Sequence, residues 1–331
     1  MPRKLNVALY GANGHQLTGL LAGHPLADVT AICGIKQPEG YSGPWPMKNS
    51  LEELLEDPST DLICLCSPSR ADQPQDAIRC LRAGKHVLAE KPAALTENDL
   101  DRVLEAASES GKSFREMGGS AFVQPYRAMR DIVLGGQIGE VVQVFSQKSY
   151  PYHDGRPQDE NIDGGLLLQV GIHAARWIEH VSGQSISSLQ AIETQVGNPG
   201  SGALRMAVSL QGHLKNGACA TLIANYLNQP GLRHWGNDEL RIFGTRGMIE
   251  TMDSGTRTRL IVGETDHGPI NVPDGEEDYF TTCAKHLLGL APMPLTLDQE
   301  LHPLRVLLGS RITRPAQHAT LNHGSEHHSK T

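Results

Sequence analysis

Over roughly the first third of the chain, apolar residues fall in short unbroken runs; over most of the remainder they alternate with polar ones. The two patterns predict two kinds of sheet. LNVALY, within residues 4–10, leads into the turn GANGHQ and then into helical spacing over 17–26, a strand, glycine turn and helix in succession. Further strands are predicted at 28–34 (DVTAICG), 61–66 (DLICLC) and 86–90 (HVLAE), with helices at 50–55 and 75–83 between them and Gly84 as a helix stop. The run DLICLC is apolar on both faces, as a strand of a parallel sheet covered by helices must be. Beyond Ser113 a helix is predicted over 125–134, stopping at Gly135-Gly136. Alternating stretches follow: VVQVFSQ, LQAIETQV, LRMAVSLQ, ACATLIANY, ELRIFGT and TRLIVGE, with one helical insert at 165–180. A last helical segment at 298–312 is expected to be interrupted or kinked near Pro303.

The expected fold class is α/β: an N-terminal Rossmann, doubly wound parallel sheet, plus a C-terminal α+β domain with a large open, mainly antiparallel sheet. The expected boundaries are 1–118 for a dinucleotide-binding domain and 119–296 for a substrate-binding and oligomerisation domain. Residues 297–313 are expected to form a helix packing back on the first domain, and 314–331 a flexible tail. A length of 331 residues suits two cores.

Composition narrows the partners. Hydrophobic residues are 39% and charged residues 20%, with no apolar run long enough to span a bilayer and no secretory pattern at the start, so a cytoplasmic protein without a membrane partner is expected. A net charge of -8 without a Lys/Arg run argues against nucleic acid and for a small-molecule substrate. The six cysteines, none in a CxxC pair, read as reduced core thiols. His318, His323, His327 and His328 in the polar tail read as a solvated terminus, and no metal site is expected.

GANGHQ stands where a Rossmann strand turns into its first helix, so backbone N–H groups there can meet a pyrophosphate. Against G-x-G-x-x-G, Gly11 matches, while Asn13 and Gln16 replace the second and third glycines. Asn tolerates left-handed backbone and Gly14 adds freedom, which keeps Gly11, Asn13, Gly14, His15 and Gln16 as cofactor candidates. By letters alone the turn could equally be structural.

SPSRAD after the third strand and AGKHVLAEKP at 83–92 carry a resemblance to the glucose-fructose oxidoreductase and inositol dehydrogenase superfamily. PYRAMRDIVLGGQIGEV (125–141), DGGLLLQVGIH (163–173) and FGTRGMIE (243–250) extend it to about residue 312. The resemblance implies a nicotinamide dinucleotide held also by Ser67, Pro68, Glu90 and Lys91. Lys91 would project from the carboxyl edge of a parallel strand at the nicotinamide and the substrate hydroxyl, and burial or a neighbouring cation would lower its pKa. Outside this context the same lysine would read as a surface salt bridge. His173 occupies the family's histidine position and is the second proton-handling candidate. The family's Asp four residues earlier is Gln169 here, implied to orient His173, and Arg176 stands at a second acidic place.

Other departures touch the ligands. Gly34 replaces the acid that holds the ribose in NAD-preferring members and Lys36 follows it, which favours NADP somewhat over NAD. Asp72, Ser120 and Ala121 also differ from the family pattern. The polar, aromatic segment SYPYHDGRPQDENID (149–163) resembles the family's substrate loop, with Tyr152, His153 and Arg156 as substrate candidates. The expected function is NAD(P)-dependent hydride transfer to or from a hydroxyl-bearing carbon of a sugar, cyclitol or related polyol, in a homodimer or homotetramer. Two alternatives stay open: a non-catalytic dinucleotide- or sugar-binding regulator, for which the missing carboxylate speaks, and redox-assisted glycoside hydrolysis.

Overall fold

The computed structural model describes residues 3–37, 44–273, 275 and 277–313; the histidine-bearing tail lies outside the described residues. The first sheet has six parallel strands: β1 (Leu5–Tyr10), β2 (Ala27–Cys33), β3 (Met47–Lys48), β4 (Leu62–Leu65), β5 (His86–Ala89) and β6 (Phe114–Glu116), in the order β3-β2-β1-β4-β5-β6. Helices α1 (Thr18–Leu21), α2 (Leu51–Leu55), α3 (Gln73–Arg82) and α4 (Glu97–Ser110) are the crossovers. All four positions of β4 are buried, which accounts for its uniform apolarity. α1 is much shorter than its apolar spacing predicts: the chain turns at Gly23, which has a positive φ of 75°. α4 is capped by the Thr96 side chain and closes on a left-handed Gly111.

Strand order reverses beside β1, where a crevice opens at the carboxyl edge. Register places its walls: Tyr10 pairs with Leu65 and Leu65 with Ala89, so the loops that follow β1, β4 and β5 begin level with one another. The glycine turn, Ser67-Pro68 and Glu90-Lys91 are therefore neighbours along that edge.

After α5 (Tyr126–Leu134) comes the second sheet, built of β7 (Val141–Ser149), β8 (Ile186–Thr194), β9 (Ala207–Leu214), β10 (Cys219–Asn225), β11 (Glu239–Gly244), β12 (Gly247–Met252), β13 (Arg257–Val262), β14 (Thr265–Gly268) and β15 (Arg311–Thr313). Its order is β14-β13-β12-β11-β7-β10-β9-β8-β15, antiparallel except for the parallel pairs β7/β10 and β8/β15. Its burial alternates, as in β8, where Leu189, Ala191 and Glu193 face inward while Gln190 and Ile192 are exposed. Between β7 and β8 lie α6 (Glu160–Asp163) and a long helical stretch in which α7 (Ile172–Arg176) is flanked by π-helical turns at Leu167–Gly171 and Trp177–Val181.

The closing helices are α8 (Tyr279–Leu287) and α9 (Leu297–Leu308). α9 packs on α7 and β8 and touches β6, where its Glu300 meets Arg115 at 2.7 Å. The interruption at Pro303 does not occur, and α9 continues through it as one helix. Proline lacks the N–H that would bond the carbonyl of Gln299 four residues earlier; the His180 ring approaches that carbonyl at 2.9 Å through Nε2 instead.

Candidate active site

Gly11 has a φ of 74°, and a Cβ there would lie 2.0 Å from the Cys66 carbonyl oxygen. Only glycine lets β1 turn this close to the end of β4. At Gly14 (φ 117°) a Cβ would meet the Glu90 side chain at 2.6 Å. Glu90 thus lies directly under the turn, where its carboxylate accepts from the His15 backbone N–H at 3.0 Å and sits 3.3 Å from His15 Nδ1. Burial would raise the Glu90 pKa, but these His15 contacts and the neighbouring Lys91 hold it below the usual range.

Asn13 donates its side-chain amide to the carbonyls of Pro68 and Ile162, at 3.2 and 2.5 Å. It ties the turn to the Ser-Pro loop and to α6. Gln16 spends its amide on the carbonyls of Tyr10, Gly11 and Cys64, so its side chain braces the strand edge. Ser67 is buried and donates to Asp76 at 2.7 Å.

Lys91 is 3% exposed, with Nζ 3.9 Å from Glu90 Oε1. It donates to the main-chain carbonyl of Gln169 at 2.7 Å. Burial pushes its pKa down to about 8, opposed by Glu90 and assisted by Arg70 and Arg176. The carbonyl it meets lies in the first π-helical turn, a distortion that recurs at functional sites.

His173 stands on α7 with neither ring nitrogen partnered, although both are closed off from water. Burial drives its pKa well below the usual histidine value, and Lys91, Lys148 and Arg176 add to the effect, so it is a neutral imidazole. The expected link from Gln169 to His173 is not formed, since Gln169 Oε1 is itself buried without a partner. The π-helical turn sends the main chain of residue 169 to Lys91 and leaves its side chain idle. Arg176, at the second acidic place, forms a fully buried ion pair with Glu116.

The substrate candidates separate. Arg156 is committed to the Pro151 carbonyl, at 3.0 Å from Nη2, and lies 3.7 Å from the centre of the Tyr226 ring, so it braces its own loop. Tyr152 is half-buried against the core, and His153 is exposed, its ring 5.9 Å from that of Trp235.

Several residues of this site give no local signal in the sequence. Arg70, 1% exposed, donates to Gln73 and to the Asn13 carbonyl, while Gln73 donates to the carbonyls of Glu90 and Pro92. These two side chains lock the Ser-Pro loop, the glycine turn and the Lys91 segment together. Lys148 meets Asp238 at 2.5 Å and lies 5.1 Å from the Trp177 ring centre. Trp235, 58% exposed, lies against Tyr150 and His153. A tryptophan in a loop has no periodicity to mark it.

Two cavities bear on ligands. One of about 510 Å³ adjoins the glycine turn, with Tyr10, Gly34 and Glu52 in its wall. A larger one of about 950 Å³ lies against β8, β9 and β10 with Ser188, Gln211 and His213 in its wall; neither Lys91 nor His173 lines it, so size does not mark the chemistry. Lys36 is exposed and lines neither. Among the described residues no group of three or more His, Cys, Asp or Glu is placed to hold a metal, and no helix is long and apolar enough to cross a membrane. Five of the free cysteines are buried, and Cys219 is exposed.

Comparison with known proteins identifies the family of the two domains. Residues 5–116 match the oxidoreductase family with an NAD-binding Rossmann fold, and residues 126–250 match the GFO/IDH/MocA C-terminal domain. A Rhizobium meliloti protein described as an uncharacterized oxidoreductase is 26% identical over 81% of this chain and 81% of its own. The myo-inositol 2-dehydrogenase of Thermotoga maritima is 25% identical over 60% of this chain and 58% of its own, so that match spans under two thirds of the relative. The dTDP-3,4-didehydro-2,6-dideoxy-alpha-D-glucose 3-reductase of Streptomyces violaceoruber is 29% identical over 69% and 64%. In fold, the chain is similar to an aldose-aldose oxidoreductase from Caulobacter crescentus solved with glycerol (TM-score 0.77, 19% identity, 92% of this chain and 96% of that one). It is also similar to a 3-ketoreductase from Actinomadura kijaniata solved with NADP (TM-score 0.72, 18% identity, 95% and 100%). A six-stranded parallel Rossmann sheet joined to a large mixed sheet, with both family matches in sequence order, shows that the chain belongs to the GFO/IDH/MocA family of NAD(P)-binding oxidoreductases.

Proposed function

We propose that the protein moves a hydride between a nicotinamide cofactor and a hydroxyl-bearing carbon of a sugar, cyclitol or related polyol. The observation that carries this reading is Lys91: a nearly buried amine with a pKa of about 8 at the carboxyl edge of a Rossmann sheet, in a site that also holds the two unpartnered ring nitrogens of His173. The cradle suits a dinucleotide, since glycines at 11 and 14 let the turn pack tightly on Cys66 and Glu90 and its residues Gly11, Ala12 and Asn13 line the adjoining cavity. Backbone around Gly11–Gly14, Ser67-Pro68 and Glu90 would hold it, and when bound it supplies the hydride exchange.

The chain's own groups handle the proton. A neutral Lys91 takes the hydroxyl proton onto Nζ, and the Gln169 carbonyl then accepts from the ammonium so formed. In the reverse direction the ammonium returns it. His173, neutral, hydrogen-bonds the same or an adjacent hydroxyl, which supplies the partner that its ring nitrogens lack. Trp235, Tyr152 and His153 give the substrate an aromatic rim. The names of the relatives, an inositol dehydrogenase and a deoxysugar reductase, agree with a polyhydroxylated substrate. The exposed outer face of the second sheet is the surface we assign to self-association. Cofactor reduction across a panel of cyclitols, aldoses and sugar acids tests the reading, and a panel with no response overturns it.

One observation favours a second reading. Gln169 in place of an acid leaves His173 without an anion to stabilise its protonated form, as a binding-only relative would tolerate. Cofactor binding without turnover in that panel would favour it.

A further inference from the structure

The cavity beside the glycine turn reaches from the ends of β1 and β2 to the first turn of α2, with Tyr10, Cys33, Gly34, Asn49, Ser50 and Glu52 in its wall. In a sheet of this order the adenosine half of a dinucleotide lies on the β2 side of the crevice. The end of β2 offers it no carboxylate: Gly34 has a φ of 70°, and a Cβ there would already stand 3.7 Å from the Gly11 Cα. The next element does offer one, because Glu52 reaches the same cavity from α2.

The cations nearby are either engaged or elsewhere. Arg79 pairs with Glu52 on one side and Asp76 on the other, and Asp76 also accepts from Ser67 at the end of β4. One guanidinium thus faces two carboxylates. Lys36 is exposed, and neither it nor Lys48 stands in the cavity wall.

We propose that Glu52 reads the adenosine ribose and makes the protein prefer NAD(H) over NADP(H), supplying from α2 the carboxylate that the end of β2 lacks. This rests on the dinucleotide reading above. A ribose diol donates hydrogen bonds to a carboxylate, whereas a 2′-phosphate adds negative charge beside one whose partner Arg79 is already shared with Asp76. The Glu52 side chain is 57% exposed, so the discrimination is moderate and weakens with salt.

Calorimetry with NADH and NADPH on the full-length protein tests it. The wild type should bind NADH about tenfold more tightly. Glu52→Gln should narrow that ratio several-fold, mainly by strengthening NADPH, and Lys36→Ala should leave it unchanged. Equal or tighter NADPH binding by the wild type, or an unchanged ratio in Glu52→Gln, would overturn the inference while leaving the dinucleotide reading intact. Failure of both forms to bind would overturn that reading and the inference with it.

Discussion

Lys91, just past β5, and Gln169, in the first π-helical turn 78 residues further along the chain, meet through a 2.7 Å hydrogen bond from the lysine ammonium to a main-chain carbonyl. The contact fixes the amine at the sheet edge without supplying a charge that would hold its proton. Lys91→Ala should therefore leave the fold and most of the cofactor affinity in place while lowering turnover by about a hundredfold or more, the scale of one acid/base group. Steady-state kinetics beside cofactor titration checks this; near-normal turnover would reduce Lys91 to a positioning role.

The pH profile should report the same amine. Hydroxyl oxidation needs neutral Lys91, so kcat/KM in that direction should rise with pH through a limb near the Lys91 value of about 8. Glu90 raises that value, so Glu90→Gln should move the limb to lower pH. A new anion in Gln169→Asp should move it to higher pH. A limb indifferent to both substitutions would assign it to another group.

His180 and Pro303 give a prediction about stability. The buried His180 ring, whose pKa burial lowers to about 3, serves the Gln299 carbonyl that Pro303 leaves without its helical partner. It is neutral in the fold and takes up a proton on unfolding below its ordinary value of 6.5. Its contribution is therefore whole above pH 6.5 and is lost as pH falls from there towards 3. His180→Ala should cost about 1–3 kcal/mol at neutral pH by stranding the carbonyl and should flatten the acid limb of melting temperature. Adding Pro303→Ala should recover part of the loss, because an N–H at 303 can take the carbonyl back. Additive losses in the double variant would contradict this pairing.

What could be read from the sequence follows from how local each signal is. β4 is one apolar run and β8 alternates in burial from Leu189 to Glu193, and both stand close to where their patterns place them. α4 carries a Thr96 cap, apolar Leu100, Val103 and Ala107, and Gly111, so its signal is present in the sequence although the reading by strands passes over it. β3, two residues long, leaves no periodicity to detect. In the site, Lys91 and His173 are legible because motifs hold them. The buried Arg70, the Arg176–Glu116 pair and the Glu52–Arg79–Asp76 chain depend on partners from other segments, and a buried arginine looks like a surface one until the fold brings its partner. Arg156 shows the converse, a plausible ligand residue that the fold spends on Pro151 and Tyr226.

Hydride transfer to a carbonyl carbon, giving a polyol, is seen most plainly by following an isotope. NADH and NADPH deuterated at C4 of the dihydronicotinamide, in each stereochemical form, are incubated with the wild-type protein and a panel of keto-sugars and cyclitol ketones, and the products are analysed by mass spectrometry. Deuterium is expected on the carbon that becomes CH–OH in at least one member of the panel, with transfer slowed by about a hundredfold in Lys91→Ala. Tight cofactor binding with no label in any product would contradict hydride transfer.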